Sequence, residues 1–258
     1  MIDIGVNLMH RSFNEDREQL VEKAAASGVS PLIITGTSLR SSKEAARYAG
    51  HYRGKLYATA GVHPHDAKSC NDEVMGQLRV LAAQPQVVAI GECGLDYNRD
   101  FSPRDIQRKW FAEQAALALE LDMPLFLHER EAFGDFVSIL KEQGVSRAVV
   151  HCFTGNRAEL EAYLEMGFCI GITGWICDER RGKHLKELVR HIPLDRLMIE
   201  TDAPFLTPRD LPEKPPNGRN EPAFLPHVLE AVARCFGQPS QEILNATRET
   251  TKRFFGLK

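Results

Sequence analysis

Eight short apolar runs rich in β-branched residues recur along the 258-residue chain, spaced by about 25 to 35 residues. They lie at 2–6, 31–35, 56–62, 87–91, 124–128, 148–151, 168–172 and 197–200. Longer stretches of helical period stand between them, at 16–26, 42–49, 104–121, 131–142, 157–165 and 182–190. One strand, one helix and a loop fill such an interval, so the chain reads as a succession of βα repeats. That rhythm predicts an α/β fold, a single (β/α)8 TIM barrel over residues 1–258. An open doubly wound sheet is the competitor, but it needs a Gly-rich phosphate turn after its first strand. Residues 5–12, Gly-Val-Asn-Leu-Met-His-Arg-Ser, contain no such turn.

Composition narrows the setting. No apolar stretch nears the roughly 20 residues that span a bilayer. The opening Met1-Ile2-Asp3-Ile4 lacks the charged and apolar regions of a signal peptide. A cytoplasmic protein with no membrane partner is therefore expected. The six cysteines are scattered without a CxxC pair, which favours reduced, mostly buried thiols over disulfides or a zinc-thiolate site. A formal net charge of −3 argues against a broad basic surface clamping duplex nucleic acid, though not against a pocket for one or two phosphates. No exposed heptad stripe demands a dimer, so a monomer is expected.

In a barrel the C-terminal ends of the strands converge on one site. The third run is followed by His63-Pro64-His65 and the fourth by Glu92; the fifth ends in His128, the sixth in His151, and Asp202 follows the eighth. A lone strand-end histidine is more often structural than a ligand. Three such places and two acids on one rim reverse that preference. Imidazoles and carboxylates together suit a divalent metal with mixed nitrogen and oxygen ligands. Glu92 is read as such a ligand, with Gly91 and Gly94 allowing the backbone to bend around it. Asp202, in "LMIETDAPFL", is read as a ligand that also orients or deprotonates water, against the alternative of a helix N-cap. Asp96 reads either as a partner behind the ligands or as a turn residue.

Residues 205–227, "FLTPRDLPEKPPNGRNEPAFLPH", hold six prolines and are expected to form a long functional loop. Arg180, Arg181 and Arg219 are candidates for phosphate contacts, because a guanidinium fork fits phosphate oxygens. Tyr97, Phe153, Trp175 and Phe205 are candidates for stacking unpaired bases. Trp175 is the best of these, whereas Phe205 is expected to cap the core.

The motifs "TAGVHPHD", "AIGECGLDYNRDFS", "MPLFLHER", "VVHCFTG", "IGITGWICDERRG", "LVRHIPLDRLMIETDAP" and "RNEPAFLPHV" run through almost the whole chain. In them the sequence resembles the TatD family of metal-dependent deoxyribonucleases, and "GITGWICDERRG" and "RNEPAFLPHV" resemble its TatD branch. The resemblance implies a TIM barrel and divalent-metal hydrolysis of phosphodiesters. For this branch it implies 3′→5′ exonuclease action on single-stranded DNA and RNA, in DNA repair or nucleic-acid turnover. It gives metal roles to Glu92, His128, His151 and Asp202, and catalytic roles to Asp202, Glu92 and His63. It places His63 beside the scissile phosphate; His65, Trp175, Arg180 and Arg219 are, separately, the expected substrate contacts. One departure stands out. Most of the family carries two histidines on strand one, where this chain has Gly5 and Asn7. An amide oxygen is a hard, weak ligand, better suited to Mg²⁺ or Mn²⁺ than to Zn²⁺, and implies a weakly filled second metal position; Mg²⁺ is the expected cation, with Mn²⁺ and Zn²⁺ as alternatives. Two other readings remain open: a small-molecule amidohydrolase, although its usual strand-four lysine is replaced by Glu92, and a metal-free binding module.

Overall fold

Each of the eight apolar runs becomes a strand. In the computed structural model, which describes residues 1–215 and 217–258, the strands are β1 (Asp3–Val6), β2 (Leu32–Ile34), β3 (Leu56–Ala60), β4 (Val87–Asp96), β5 (Leu125–Arg130), β6 (Ala148–Val150), β7 (Cys169–Ile172) and β8 (Leu197–Ile199). The helices are α1 (Arg17–Ala26), α2 (Leu39–His51), α3 (Asp72–Ala82), α4 (Arg104–Glu120), α5 (Phe133–Gln143), α6 (Arg157–Glu165), α7 (Lys183–Leu188), α8 (Leu225–Phe236) and α9 (Ser240–Phe255). The strand order is β1 to β8 in sequence, the order of the (β/α)8 class. Local chemistry sets several helix starts. Ser38 with Ser41 and Asn156 with Glu159 form capping boxes at α2 and α6, and Asn71 accepts from Val74 N at the start of α3.

Contacts divide the chain into two compact units, Met1–Ile34 with Cys152–Lys258, and Thr35–His151. In the second of these, β3, β4, β5 and β6 form parallel ladders with Ala60 opposite Ile90, Gly91 opposite Phe126 and Leu127 opposite Val150. All ten residues of β4 are buried, as befits a strand covered on both faces. Its register on β5 slips between Gly91 and Cys93, which pair with the consecutive Phe126 and Leu127. Glu92 is the extra residue of that bulge. A bulge breaks the two-residue alternation and re-aims one side chain. Gly91 and Gly94 take φ of 135° and 145°. A Cβ at either position would meet a β5 carbonyl oxygen, at 2.1 Å from Phe126 O and 1.8 Å from His128 O. Only glycine fits there.

In the other unit, β1 pairs with β2 and β7 with β8. The stretch expected to be loop over 205–227 is irregular only to Glu221. Pro222–Phe224 is a 3₁₀ turn, and α8 then takes in Pro226 and His227. Proline is tolerated there because the first helical turn has no partner for the N–H it lacks. Pro216, within that stretch, lies outside the described residues. No helix of the described residues is long and apolar enough to cross a membrane. The six cysteines are all free thiols, four of them buried.

Candidate metal centre

Within the unit Thr35–His151, three imidazoles converge on one oxygen of Glu92. His151 Nε2 stands 2.9 Å from Glu92 Oε1, His128 Nδ1 at 3.0 Å and His63 Nε2 at 3.3 Å. These side chains come from within β4 and β5 and from residues shortly after β3 and β6. Their meeting follows from the ladder order β3–β4–β5–β6. Glu92 is nearly inaccessible to solvent, and its backbone N–H donates to Gly36 O at 2.7 Å. Burial alone would raise the carboxyl pKa. Electrostatic attraction to His151, the N–H that His63 turns toward it, and the hydrogen bonds of His128 and His151 outweigh it and hold the group well below the usual carboxylate range. Glu92 is therefore an anion at neutral pH.

The histidines differ in ways that sort their roles. Burial pushes His63 down to about 4, with Glu92 only partly offsetting it, so its ring is neutral. Its Nδ1 accepts from the backbone N–H of His65 at 3.1 Å. A neutral imidazole accepting at Nδ1 carries its proton on Nε2. His63 thus turns a hydrogen-bond donor toward Glu92 rather than a lone pair. His128 is the opposite case. Burial lowers its pKa, but the Asp96 and Glu92 carboxylates raise it by more. Its buried Nε2 faces Asp96 Oδ2 at 3.5 Å, too far for a good hydrogen bond, and has no hydrogen-bond partner.

One donor atom each from His63, Glu92 and His128 lies within 4.8 Å of the others, a grouping that could hold a cation, although the His63 nitrogen facing Glu92 carries a proton rather than a free lone pair. The buried anion, the orphaned His128 nitrogen and the mixed nitrogen and oxygen donors all fit a divalent metal.

Asp96 is a turn residue whose second oxygen faces an imidazole. Its Oδ1 accepts from the backbone of Asn98 and Arg99, closing the turn after β4, while Oδ2 stands 2.7 Å from His65 Nε2. The scaffold behind these residues was not anticipated. Gln107 and Gln114, seven residues apart on one face of α4, are both about 1% exposed. Gln107 accepts from Asp96 N and donates to Asp96 O and Ser102 O. Gln114 accepts from Val62 N and donates to Val62 O and Trp110 O. One amide fixes the end of β4 and the other fixes the residue before His63. Their signal in the sequence is a pair of amides at i and i+7, which looks the same as a solvated helix face.

Apart from Tyr97, the other expected residues lie in the unit of residues 1–34 and 152–258. Asp202 Oδ1 accepts from Asn7 Nδ2 at 2.8 Å, Asp202 N donates to Gly5 O, and Asn7 N donates to Ala203 O. Asn7 thus positions the Asp202 carboxylate. Asp3 is fully buried and accepts from Gly5 N, Thr201 N and Thr201 Oγ1. Trp175 is half-buried beneath the Arg181 guanidinium, whose centre is 5.6 Å from the indole ring. With Phe205, Leu206 and Arg209 they line a cavity of about 430 Å³. Arg180 is exposed, and its backbone N–H donates to Asp178.

Arg219 has a structural task. Its guanidinium donates to Ser12 O, to both oxygens of Asp16 and to Glu221. Of the aromatic candidates, Phe153 is buried and edge-on to Tyr163, and Tyr97 OH donates to Asp135 at 2.6 Å. Phe205 does not cap the core; it is 49% exposed and packs edge-on to His10.

A (β/α)8 fold with histidines and an acid gathered on its strands fits a hydrolase that uses a divalent metal. The family described as TatD related DNase matches residues 2–256. The chain belongs to that family, and its enzymatic class is that of a nuclease. It is 51% identical to the 3′-5′ ssDNA/RNA exonuclease TatD of Rahnella sp., covering 100% of this chain and 98% of that one. It is also 51% identical to the protein of the same name from Erwinia amylovora, with both chains fully covered. Among solved structures it resembles the TatD homologue YJJV of Escherichia coli, with a TM-score of 0.92 at 28% identity, covering 100% of this chain and 98% of that one. A TatD family hydrolase from Entamoeba histolytica superposes with a TM-score of 0.91 at 27% identity, over the same shares of the two chains.

Proposed function

We propose that this chain is a divalent-metal-dependent 3′→5′ exonuclease acting on single-stranded DNA and RNA, working in the cytoplasm as a monomer and as one (β/α)8 domain. The single observation that carries the chemistry is the buried, ionised Glu92 with His63, His128 and His151 around one of its oxygens. Glu92, His128 and His151 would hold the metal. Asp202 joins them on the strength of its family motif, and Asn7 fixes its carboxylate. When bound, the metal supplies a Lewis acid for phosphate oxygens and lowers the pKa of nearby water. Hard oxygen donors and the Gly5/Asn7 departure favour Mg²⁺.

His63 takes the remaining role. A neutral ring with its proton on Nε2 is a poor cation ligand and a good donor to a phosphate oxygen. It remains neutral through physiological pH because burial holds its pKa near 4. It can therefore stabilise charge on the phosphorus centre or give its proton to the leaving 3′-oxygen. His65, tethered to Asp96, holds that ring through its backbone N–H. Trp175 offers a face for an unpaired base, with Arg180 near the strand's phosphates. Specificity for single strands with free 3′ ends is supported by the curated relatives' names and by the lack of a basic duplex-tracking charge balance.

Single-stranded DNA labelled at either end, incubated with Mg²⁺ with and without EDTA, tests this reading. A 3′ label should leave at once as mononucleotide, a 5′ label should report a ladder shortening from the far end, and EDTA should stop both. First release of the 5′ label, efficient nicking of closed circular duplex or EDTA-resistant hydrolysis would each overturn it.

A further inference from the structure

The geometry points to a second metal site, for one zinc-class divalent cation, formed by Cys177, Asp210 and His227. Cys177 closes the 3₁₀ turn Gly174–Cys177, Asp210 lies in the irregular stretch after β8, and His227 is the third residue of α8. One donor atom from each lies within 4.8 Å of the others. His227 Nε2 stands 2.6 Å from Asp210 Oδ1, and the Cys177 Sγ lies within 4.8 Å of the ligand atoms of both. The three side chains come from segments more than 15 residues apart, so local turn chemistry does not explain their meeting.

Thiolate, imidazole and carboxylate form a soft, mixed donor set, which suits Zn²⁺ or Co²⁺ and is poorly matched to Mg²⁺. With Zn–S of about 2.3 Å and Zn–N or Zn–O of about 2.0 Å, tetrahedral donors sit roughly 3.3 to 3.5 Å apart. The His227–Asp210 pair must open by under about 1 Å and the other separations close by at most about 1.5 Å to reach that spacing. Rotation of the part-exposed Asp210 side chain, which is 37% accessible, supplies that adjustment. Thiolate and carboxylate charges balance a divalent cation, and Arg234, 4.0 Å from Asp210 Oδ2, remains at the margin. A cavity of about 610 Å³, lined by Cys177, Asp178, Arg209 and Asp210 among others, gives an entry path and room for a fourth, exchangeable ligand.

Metal and proton compete for the cysteine. Without a cation the thiol is inert, because burial and the Asp210 charge push it up to about 12. Binding displaces the thiol proton to solvent, while His227 ligates through Nε2 and keeps its own proton on Nδ1. The metal then ties the loop after β8 to α8 and to the turn that carries Trp175. The scattered cysteines gave no hint of this, since only one of them takes part and its partners lie more than 30 residues downstream.

Cobalt spectroscopy on the full-length chain, stripped of metal, tests the site with a readout that the Glu92 centre cannot give. One equivalent of Co²⁺ should produce a sulfur-to-metal charge-transfer band with the intense visible bands of tetrahedral cobalt. The band should persist in Glu92→Gln and vanish in Cys177→Ser. His227→Gln keeps the thiol, and should weaken Co²⁺ and Zn²⁺ binding by at least the roughly 10–100-fold that follows loss of groups supporting a ligand. Absence of the band in the wild type, its survival in Cys177→Ser, or unchanged affinity in His227→Gln would overturn the site and leave His227 and Asp210 as a hydrogen-bonded latch beside the thiol. If Cys177→Ser fails to fold, the His227→Gln affinity decides alone.

Discussion

Glu92 and Asp3 are both acids buried in strands, and they meet opposite fates. Glu92, at the bulge in β4, is surrounded by imidazoles and stays ionised. Asp3, the first residue of β1, accepts from two backbone N–H groups and the Thr201 hydroxyl, yet burial raises its pKa to about 7, with the nearby Glu200 charge adding to the rise. Hydrogen bonds from neutral donors stabilise an anion but do not cancel its loss of water. Partners that can carry positive charge do. The first arrangement is ready for a cation, and the second is a strut between β1 and the segment after β8.

The largest break in that contrast is Glu92→Gln. The amide keeps the shape and removes the charge on which the imidazoles converge. Turnover on single-stranded DNA should fall by at least about two orders of magnitude, the scale of losing a catalytic or electrostatic group. The rise in melting temperature on adding Mg²⁺ should shrink with it. Near-wild-type turnover would mean that Glu92 is a structural acid like Asp3.

Asp3→Asn tests the other side through pH. An acid with a folded pKa near 7 and an unfolded value near 3.8 holds its proton in the native state after the unfolded chain has released it. Between those values the native state binds more protons, so this group's contribution makes stability fall as pH rises, and the loss is complete above about pH 7. From pH 5 to pH 8 the drop spans about two pKa units, or roughly 3 kcal/mol as an upper figure. Asparagine does not titrate, and its amide can donate to the Thr201 hydroxyl in place of accepting from it. Urea unfolding at the two pH values should therefore favour the variant, relative to wild type, more at pH 8 than at pH 5. An identical difference at both would show that Asp3 is ionised throughout.

The same contrast explains what the sequence revealed. Strand positions were legible because each apolar run is flanked by polar or glycine residues, and all eight runs recur as strands within a few residues of the expected bounds. Glu92, His128, His151 and His63 were legible as an acid and imidazoles in places where a core strand should simply end. The extension of β4 to Asp96 was not, because Gly91 and Gly94 look like a stop and act instead as the flanks of a bulge. Helices α3, α8 and α9 are not marked by the spacing of the apolar runs, and six prolines hide the start of α8 at Leu225. The task of Arg219 was also illegible. A guanidinium near a candidate site suggests phosphate, and only folding brings Asp16, more than 200 residues away, against it.

The smallest expected effect sharpens the question of how Glu92's neighbourhood is held. Gln107→Leu keeps the volume of a buried α4 side chain but deletes an acceptor for Asp96 N and donors to Asp96 O and Ser102 O. Unsatisfied buried polar groups cost about 1–3 kcal/mol, and denaturant unfolding should register a loss in that range. Asp96 would also lose its backbone anchor, and through it the carboxylate that faces His65 and His128. Because such support acts through the ligands, metal affinity should weaken by about tenfold, near the low end for groups behind a metal site, while turnover at saturating metal changes much less. Gln114→Leu offers the matched control, since it frees Val62 and not Asp96. It should cost similar stability and disturb His63 more than the metal, raising KM for the single strand with little change in Mg²⁺ dependence. If both variants shift metal affinity equally, the two amides act only as core packing, and the ionised state of Glu92 owes nothing to the end of β4.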